Sequence, residues 1–461
     1  MIRPARSHDR YPLARRAACA AVALAAALAP PAHAVPIETV VRTALTDFPA
    51  IRVALSNRNV AGYRIDEARA AHLPTLSVDA SARVGGAAVS TPLPRARVNL
   101  WAGGAIDASV ERERQRAASA ESLEQVTRED VAFATTQAYL RVLRAWRLVG
   151  VSGNNLARHQ RLATLFEDIV RIDPGRRFDL VQAQARLQLV RGALEDRRAE
   201  LGTARQTLAR YYPPPIEPAA LGLPAIAAVP PAPLEATSIQ DHPSVVAARR
   251  KLLAVEANAR TLRLQRGPRI DLEATGGHDP LSQLVLSWPA FDASLTAAEQ
   301  AAVAAQIGAE AALQDTELSV LETLRQAHED FNAAGRRIEQ ASAQVTLATE
   351  LVNVYFEQFR IGRRNLLDLL SAYAELANGE ANLAGSQVDQ ALARYRIAFA
   401  SGRLAPLFDG PLASLPTLPP PEPGRVPPYE AGAGGPEPRV PPVLQPLPSD
   451  PGAVPSRPAA R

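Results

Sequence analysis

The chain has 461 residues, 51 of them Lys or Arg and 47 Asp or Glu, for a formal charge of +4; it is 47% hydrophobic but only 5% aromatic. The bases are spread along the chain with no concentrated patch, so nothing in the charge pattern points to nucleic acid. Ala, Leu, Arg and Gln dominate the middle, a composition suited to long helices.

The first element is a targeting signal. Arg3, Arg6, Arg10, Arg15 and Arg16 precede an apolar run from Ala17 to Ala29, and Ala32-His33-Ala34 fits a small-x-small cleavage site. An apolar run of about 13 residues is too short to span a bilayer, so residues 1–34 read as a secretory signal peptide, with the mature chain beginning near Val35. The single Cys, Cys19, lies inside it, and Arg16 three positions earlier argues against a lipoprotein signal. A mature chain without Cys forms no disulfide. No later run holds 18 consecutive apolar residues, so any membrane entry must be as a β-barrel.

The rest of the chain repeats itself, over 35–212 and 237–404 with a Pro-rich linker at 213–236 between. A helix of about 37–72, its pattern opening at Asp47-Phe48-Pro49, leads to Leu73-Pro74. A strand pair follows at 75–102, then a long helix from about 107 to 172 that opens on Ile106-Asp107-Ala108-Ser109. The turn Asp173-Pro174-Gly175 leads into a helix over 177–211. The second half repeats the plan with Asp241-His242-Pro243, Gly267-Pro268, strands at 269–289 and Phe291-Asp292-Ala293-Ser294. A helix from 292 to 360, the turn Ile361-Gly362 and a last helix complete it. Asp107 and Asp292 are expected N-caps. Leu180, Leu187, Leu194, Leu201 and Leu208 recur every seventh residue, and Leu369, Leu376, Leu383, Gln390 and Ile397 match them at one constant offset. Such a repeat buries a narrow seam against a neighbouring helix. At 1.5 Å per residue the long helices reach roughly 100 Å and the short ones about 55 Å, so two short ones end to end match one long one, as in a helical cylinder wall. From 405 to 461 the chain holds roughly 18 of its 40 prolines and reads as a disordered tail.

The strand segments alternate. Leu76, Val78, Ala80, Ala82 and Val84 interleave with Ser77, Asp79, Ser81 and Arg83, and Ala96, Val98 and Leu100 with Arg95, Arg97 and Asn99. Ile270, Leu272 and Ala274 interleave with Arg269, Asp271 and Glu273, and Leu284, Leu286 and Trp288 with Gln283 and Ser287. A half-buried soluble sheet gives this pattern, and so does a transmembrane barrel with a wet lumen. The mixed charges of the polar face and the terminal Trp101 and Trp288 favour the barrel. The smallest barrels need about eight strands, so four per chain must be shared between chains, and three copies give about twelve.

At this point the chain resembles the TolC family of outer-membrane channel proteins over roughly residues 36–404. The resemblance rests on the duplicated plan and on two segments, Asp173-Pro-Gly-Arg-Arg-Phe-Asp-Leu-Val-Gln-Ala-Gln-Ala-Arg-Leu187 and Phe359-Arg-Ile-Gly-Arg-Arg-Asn-Leu-Leu-Asp-Leu-Leu370, which look most like its type I secretion branch. It implies a mainly α fold with a membrane β-barrel: a homotrimer whose twelve-stranded barrel sits in outer-membrane lipid of a Gram-negative cell. The helical barrel would continue across the periplasm, closed at its inner tip. An inner-membrane ABC transporter and a membrane-fusion adaptor would engage that tip, and a secreted protein cargo would pass unfolded. The resemblance also implies a gate at the inner turns, with Asp179 as acidic partner, Arg364 as basic partner and Asp368 in a constriction ring. Phe359 stands where a hydrogen-bonding Tyr is usual, and Ser371 where a second ring Asp is. On their own, Asp179 and Asp368 read equally as helix-capping acids.

No HExxH, phosphate loop or Cys cluster appears, so neither catalysis nor a metal or cofactor is expected. Gly103-Gly104 and Gly276-Gly277 read as strand-end turns. Two alternatives stand beside the secretion channel: a drug-efflux duct on the same fold, and a periplasmic coiled-coil adaptor or scaffold.

Overall fold

The structure, a computed structural model, describes residues 35–79, 92–223, 239–276, 280–289 and 291–409. The signal segment, the first hairpin's tip with Ala80, Ala82 and Val84, Gly277, most of the linker and the chain from 410 onward lie outside the described residues.

Two helices of equal length set the frame. α3 (Ala105–Ile172) and α6 (Ala293–Arg360) have 68 residues each and run away from the sheet. The shorter helices run back: α2 (Pro49–Ala70), α4 (Arg177–Ala209), α5 (Pro243–Gln265) and α7 (Leu366–Ala400). α3 packs against α2 and α5 near the sheet and against α4 and α7 farther down, while α6 packs against α5 and then α7. The wall is one helix thick.

The seam residues show why these helices pair. Along α7, Leu369, Ala372, Leu376, Gly379, Ser386, Ala393, Ile397 and Ala400 are buried at spacings of three, four or seven, the stripe that faces a partner helix. On α6 the answering residues are Ala327, Ala334, Ala341 and Ala348, a heptad of the smallest side chain with a Cβ. Alanine here lets the backbones approach closely, and at Gly379 an added Cβ would come within 3.3 Å of Val345. Ion pairs and hydrogen bonds cross other joints of the wall. Arg158 binds Glu380 at 3.0 and 2.5 Å and Arg144 binds Asp389 at 2.7 Å between α3 and α7; Arg58 binds Glu124 at 3.1 Å between α2 and α3.

Four strands form one antiparallel sheet in the order β1 (Thr75–Asp79), β2 (Leu93–Trp101), β3 (Arg269–Thr275) and β4 (Leu281–Ser287). Each hairpin supplies two strands, and β2 pairs with β3 across the repeat boundary. The register aligns Val98, Leu272 and Leu284 on one face, and Arg97 opposite Glu273 on the other. The apolar face lies open: Leu76, Val78, Leu284, Leu286 and Trp288 are all exposed. Behind it Asp271 is buried, held by Arg97 and by Asn99 at 2.8 Å. Among the described residues of one chain the sheet is open, with β1 and β4 as unpaired edges.

Four expectations are corrected. The first helix is two: α1 (Ile37–Asp47) ends at Phe48, whose ψ of 133° is extended, and α2 restarts at Pro49. Proline disfavours helical geometry in the preceding residue and suits the first helical position. Asp107 is not a cap, because Gly104 (φ 81°) turns the chain out of β2 one position ahead of the helix, leaving Asp107 in the first turn, 3.4 Å from His72. Asp292 does cap, accepting from Ser294 N–H at 2.8 Å. The start of the presumed tail is ordered: α8 (Leu404–Asp409) buries Leu404, Ala405 and Phe408. The described start of the linker is packed too, with Ile216 and Leu221 in the core.

These last pieces gather beside the middle of α3. The Tyr139 hydroxyl lies 3.0 Å from the Val35 carbonyl and 3.2 Å from that of Gly222, and accepts from Gly222 N–H at 3.1 Å. Glu129 accepts from the Leu404 and Ala405 N–H groups at 3.0 and 3.1 Å, Arg128 holds Asp409 at 2.8 Å, and Arg42 donates to the Phe408 carbonyl at 3.1 Å. Burial pushes the Glu129 carboxyl up to about 7 from 4.5, against its two N–H donors, with the Asp130 and Asp409 charges adding to the rise. A carboxyl raised in the folded state favours folding below its unfolded value and loses that advantage as pH climbs through its folded value. Relative to Glu129→Gln, the native chain should therefore lose up to roughly 3 kcal/mol of stability between pH 4.5 and pH 7. Chemical denaturation of both proteins across that range measures it; a constant difference would mean Glu129 titrates normally.

Candidate functional site at the helix turns

The end of the wall remote from the sheet is made of two turns. The first joins α3 to α4 through a single 3₁₀ turn, Pro174–Arg176, with Asp173 accepting from Gly175 N–H at 3.0 Å. The second follows α6. Gly362 adopts φ 74°, and the bonds Gly362 N–H to Phe359 and Arg363 N–H to Gln358 close the helix. This paired closure needs a residue in left-handed geometry, which glycine supplies without strain. Asn365 then caps α7 through Asp368 N–H at 2.8 Å.

Each turn closes on itself with an arginine. Arg176 holds Asp179 at 3.0 and 2.9 Å, and Arg364 holds Asp368 at 3.3 Å while donating to Gln358 at 3.1 Å. Both acids sit in a first helical turn, where the helix N-terminus favours negative charge. Both arginines also cover aromatic rings. Arg176 lies 5.7 Å from the centre of Phe166 and 5.8 Å from that of Phe359; Arg364 lies 4.4 Å from Tyr355. Arg176, Asp179, Gln358, Arg363, Arg364 and Asp368 together line an open polar cavity of 740 Å³.

The residues singled out in the sequence thus fall in two groups. Asp179, Arg364 and Asp368 share the tip cavity, but no ion pair among the described residues joins Asp179 to Arg364. Each has an oppositely charged neighbour three or four positions away on its own chain segment, and that short reach wins. Phe359 is buried, with its ring centre 5.5 Å from that of Phe166. It is a core residue under the tip. Ser371 is exposed and lines a separate 610 Å³ groove with Gln182, Arg186, Leu189, Gln344 and Glu375. Sequence reading missed Arg176, Gln358 and Tyr355. Only the three-residue spacing of Arg176 and Asp179 was a usable signal, and it is common on helix surfaces. Among the described residues no group of His, Cys, Asp or Glu could hold a metal.

No family model matches the chain, and no curated protein matches it. Solved structures do. The outer-membrane channel OprN superposes with a TM-score of 0.72 over 79% of this chain and 89% of its own, at 21% identity. The Campylobacter jejuni outer-membrane channel CmeC gives 0.70 over 80% and 86%, at 14% identity. The open state of the Neisseria gonorrhoeae channel MtrE gives 0.65 over 80% and 89%, at 18% identity. The chain therefore has the TolC-like fold of outer-membrane channels, mostly helical with a small antiparallel sheet.

Arg176→Ala should free the first turn of α4, removing one half-exposed ion pair and two ring contacts worth together roughly 1 kcal/mol. Hydrogen exchange across 177–183 should speed up severalfold while the waist around Tyr139 is unaffected; unchanged exchange would show that the clasp contributes nothing.

Proposed function

We propose that the chain is one protomer of a trimeric export channel in the outer membrane of a Gram-negative cell, with the sheet in lipid and the helical wall in the periplasm. One observation carries this: a single-layer wall and an open sheet whose two edges and apolar face none of the other described residues covers. A soluble fold would close a layer of helices over Leu76, Leu284 and Leu286; here the helices leave the sheet end-on. Lipid covers such a face if the strands close into a ring, because only closed barrels satisfy every backbone group in a bilayer.

The two wall edges support closure by copies of the same chain. α2 buries only Ile51 and exposes Val53, Val60 and Tyr63; its ion pairs are those of Arg58 and Arg69, leaving Arg52 and Arg64 unpaired among the described residues. At the other edge α6 exposes Val303, Ile307 and Leu318, and from its start to Leu324 its charges are all acidic: Glu299, Glu310, Asp315, Glu317 and Glu322. A basic apolar edge facing an acidic apolar edge makes a head-to-tail contact that closes into a ring. Three copies bring the strands to about twelve, within the range of known barrels. The channel reading gives the chain no catalytic step. Outer-membrane fractionation should show a heat-modifiable trimer, and Arg52→Glu with Arg64→Glu should lower its dissociation temperature in detergent. A soluble periplasmic monomer would favour the scaffold reading.

For the cargo, the Gly-Arg-Arg turns and the absence of a lipobox support type I protein secretion with an ABC transporter and an adaptor. Drug efflux on the same fold is the second reading. Deleting the gene separates the two: loss of a secreted protein with unchanged drug susceptibility supports secretion, and the reverse supports efflux.

The tip cavity is the proposed gate, with Asp179, Arg364 and Asp368 acting through the two clasps and Ser371 on the neighbouring groove. Arg364→Ala and Asp179→Ala should each raise resting conductance in planar bilayers and sensitivity to large antibiotics. Unchanged values in both would remove these residues from the gate.

A further inference from the structure

The end of α4 builds a groove that no part of the described chain fills. Tyr211 and Tyr212 both donate to the Leu208 carbonyl at 2.9 Å, and three exposed prolines follow, Pro213, Pro214 and Pro215. The next residue, Ile216, enters the core, and its carbonyl accepts from Arg205 on α4 at 3.5 Å. This return leaves an open groove of 330 Å³ lined by Arg205, Gln206, Tyr212 and the three prolines. Tyr211 is already taken: its ring stacks on Phe48 with centres 5.0 Å apart, and Arg210 covers both. The Tyr212 ring has no ring partner among the described residues.

An aromatic ring set beside proline rings is a surface suited to Pro-rich segments. Such segments favour the polyproline helix, whose ridges fit between flat apolar rings and whose ordering costs little entropy. Arg205 is exposed and makes no ion pair among the described residues, which gives the groove a cationic rim. Of the acids near it in the chain, Glu200 is held by Arg197, and Glu217 lies outside the lining. The groove therefore suits prolines next to a carboxylate. The chain itself holds such a segment in Leu418-Pro419-Pro420-Pro421-Glu422-Pro423. α8 fixes where that segment starts, because Arg128 binds Asp409 at 2.8 Å and Arg42 donates to the Phe408 carbonyl at 3.1 Å. From Arg128 along α3 to Val142, which also lines the groove, is roughly 21 Å at 1.5 Å per residue. The stretch from Asp409 to Pro419 covers about 31 Å as a polyproline helix, so the segment reaches the groove.

We propose that this groove is the docking site of the chain's own C-terminal segment, with Pro419, Pro420 and Pro421 against Tyr212 and the three groove prolines and Glu422 facing Arg205. The docked segment is a strap that ties α8 to the exit of the first repeat. It stands independently of the channel reading. The linker at 224–238 also carries a proline pair, Pro230-Pro231, but it has to span from Leu223 to α5, and its one acid, Glu235, follows a leucine. A Pro-rich segment of another protein competes with one on the same chain, whose effective concentration is of about millimolar order for short tethers.

The test uses the full chain. A photo-crosslinking amino acid replaces Gln206, and the joined peptides are sequenced by mass spectrometry. The expected product has the mass of one chain and links position 206 to residues 417–423. Replacing Pro419, Pro420 and Pro421 together by Ala should cut its yield about tenfold, since the rings that fill the groove are gone. Arg205→Glu should cut it severalfold through repulsion of Glu422. Hydrogen exchange reads the same contact without the probe. In the chain with the three alanines, amides over 203–212 should exchange severalfold faster, while those around Glu129 keep their rate. A crosslink to 224–238, to another copy of this chain or to another protein would overturn the proposal. So would a yield or an exchange rate that ignores the proline replacements.

Discussion

Everything in this molecule depends on the narrowness of its helix seams. A seven-residue apolar repeat gives a helix one stripe to bury, and a helix with one stripe is satisfied by one neighbour on that side. Long helices built this way cannot collapse into a globule; they align into a sheet-like wall. The alanine row of α6 sharpens the constraint, since α7 lies so close that a Cβ at position 379 would sit 3.3 Å from the Val345 side chain. The wall keeps both broad faces in water and its outer helices partly unsatisfied. The proposed assembly with copies draws on the same economy of apolar residues that makes the helices long.

The two ends of the wall solve different problems. At the sheet end the chain turns apolar side chains outward and ties Arg97, Asn99 and Asp271 together behind them. At the far end it must hold two sharp turns in water. There Arg176 and Arg364 are each clamped between a first-turn carboxylate and an aromatic ring, which couples the turn's shape to charge. An arrangement held by a few exposed ion pairs, each contributing under about 1 kcal/mol, is one that a partner can rearrange. The most buried part of the molecule is the middle of α3, where Tyr139 and Glu129 fix backbone groups in the interior.

Much of this was legible in the sequence because it is periodic. The heptads of α4 and α7, the alternation in the hairpins and the matched turns all repeat, and the observed α3 and α6 start and stop within a residue or two of the expected limits. What escaped was aperiodic. The break at Phe48 needed only the proline rule, yet the flanking helical pattern masked it. The displacement of Asp107 into the first turn came from a backbone turn at Gly103-Gly104 that a cap-residue rule does not see. The order in α8 comes from long-range contacts to Glu129, Arg128 and Arg42, which no local reading of a Pro-rich segment reveals. At the tip, Asp179, Arg364 and Asp368 line one cavity, and which arginine holds which acid is not legible in the sequence, since several arginines compete for each acid and only geometry decides.

The waist also bears on chain topology. Val35, where the described fold begins, donates to Ala220 at 2.9 Å, in the segment that leaves the first repeat. α1 in turn touches α8, where the described fold ends, through Arg42 and Phe408. The exit of the first repeat, the start of the chain and the end of the second repeat thus meet in one place. In packing terms the protomer is close to a ring of two repeats cut open at one of two comparable joints. Which repeat comes first is then a matter of where that ring is opened, and a permuted chain that begins at the other joint would meet the same contacts.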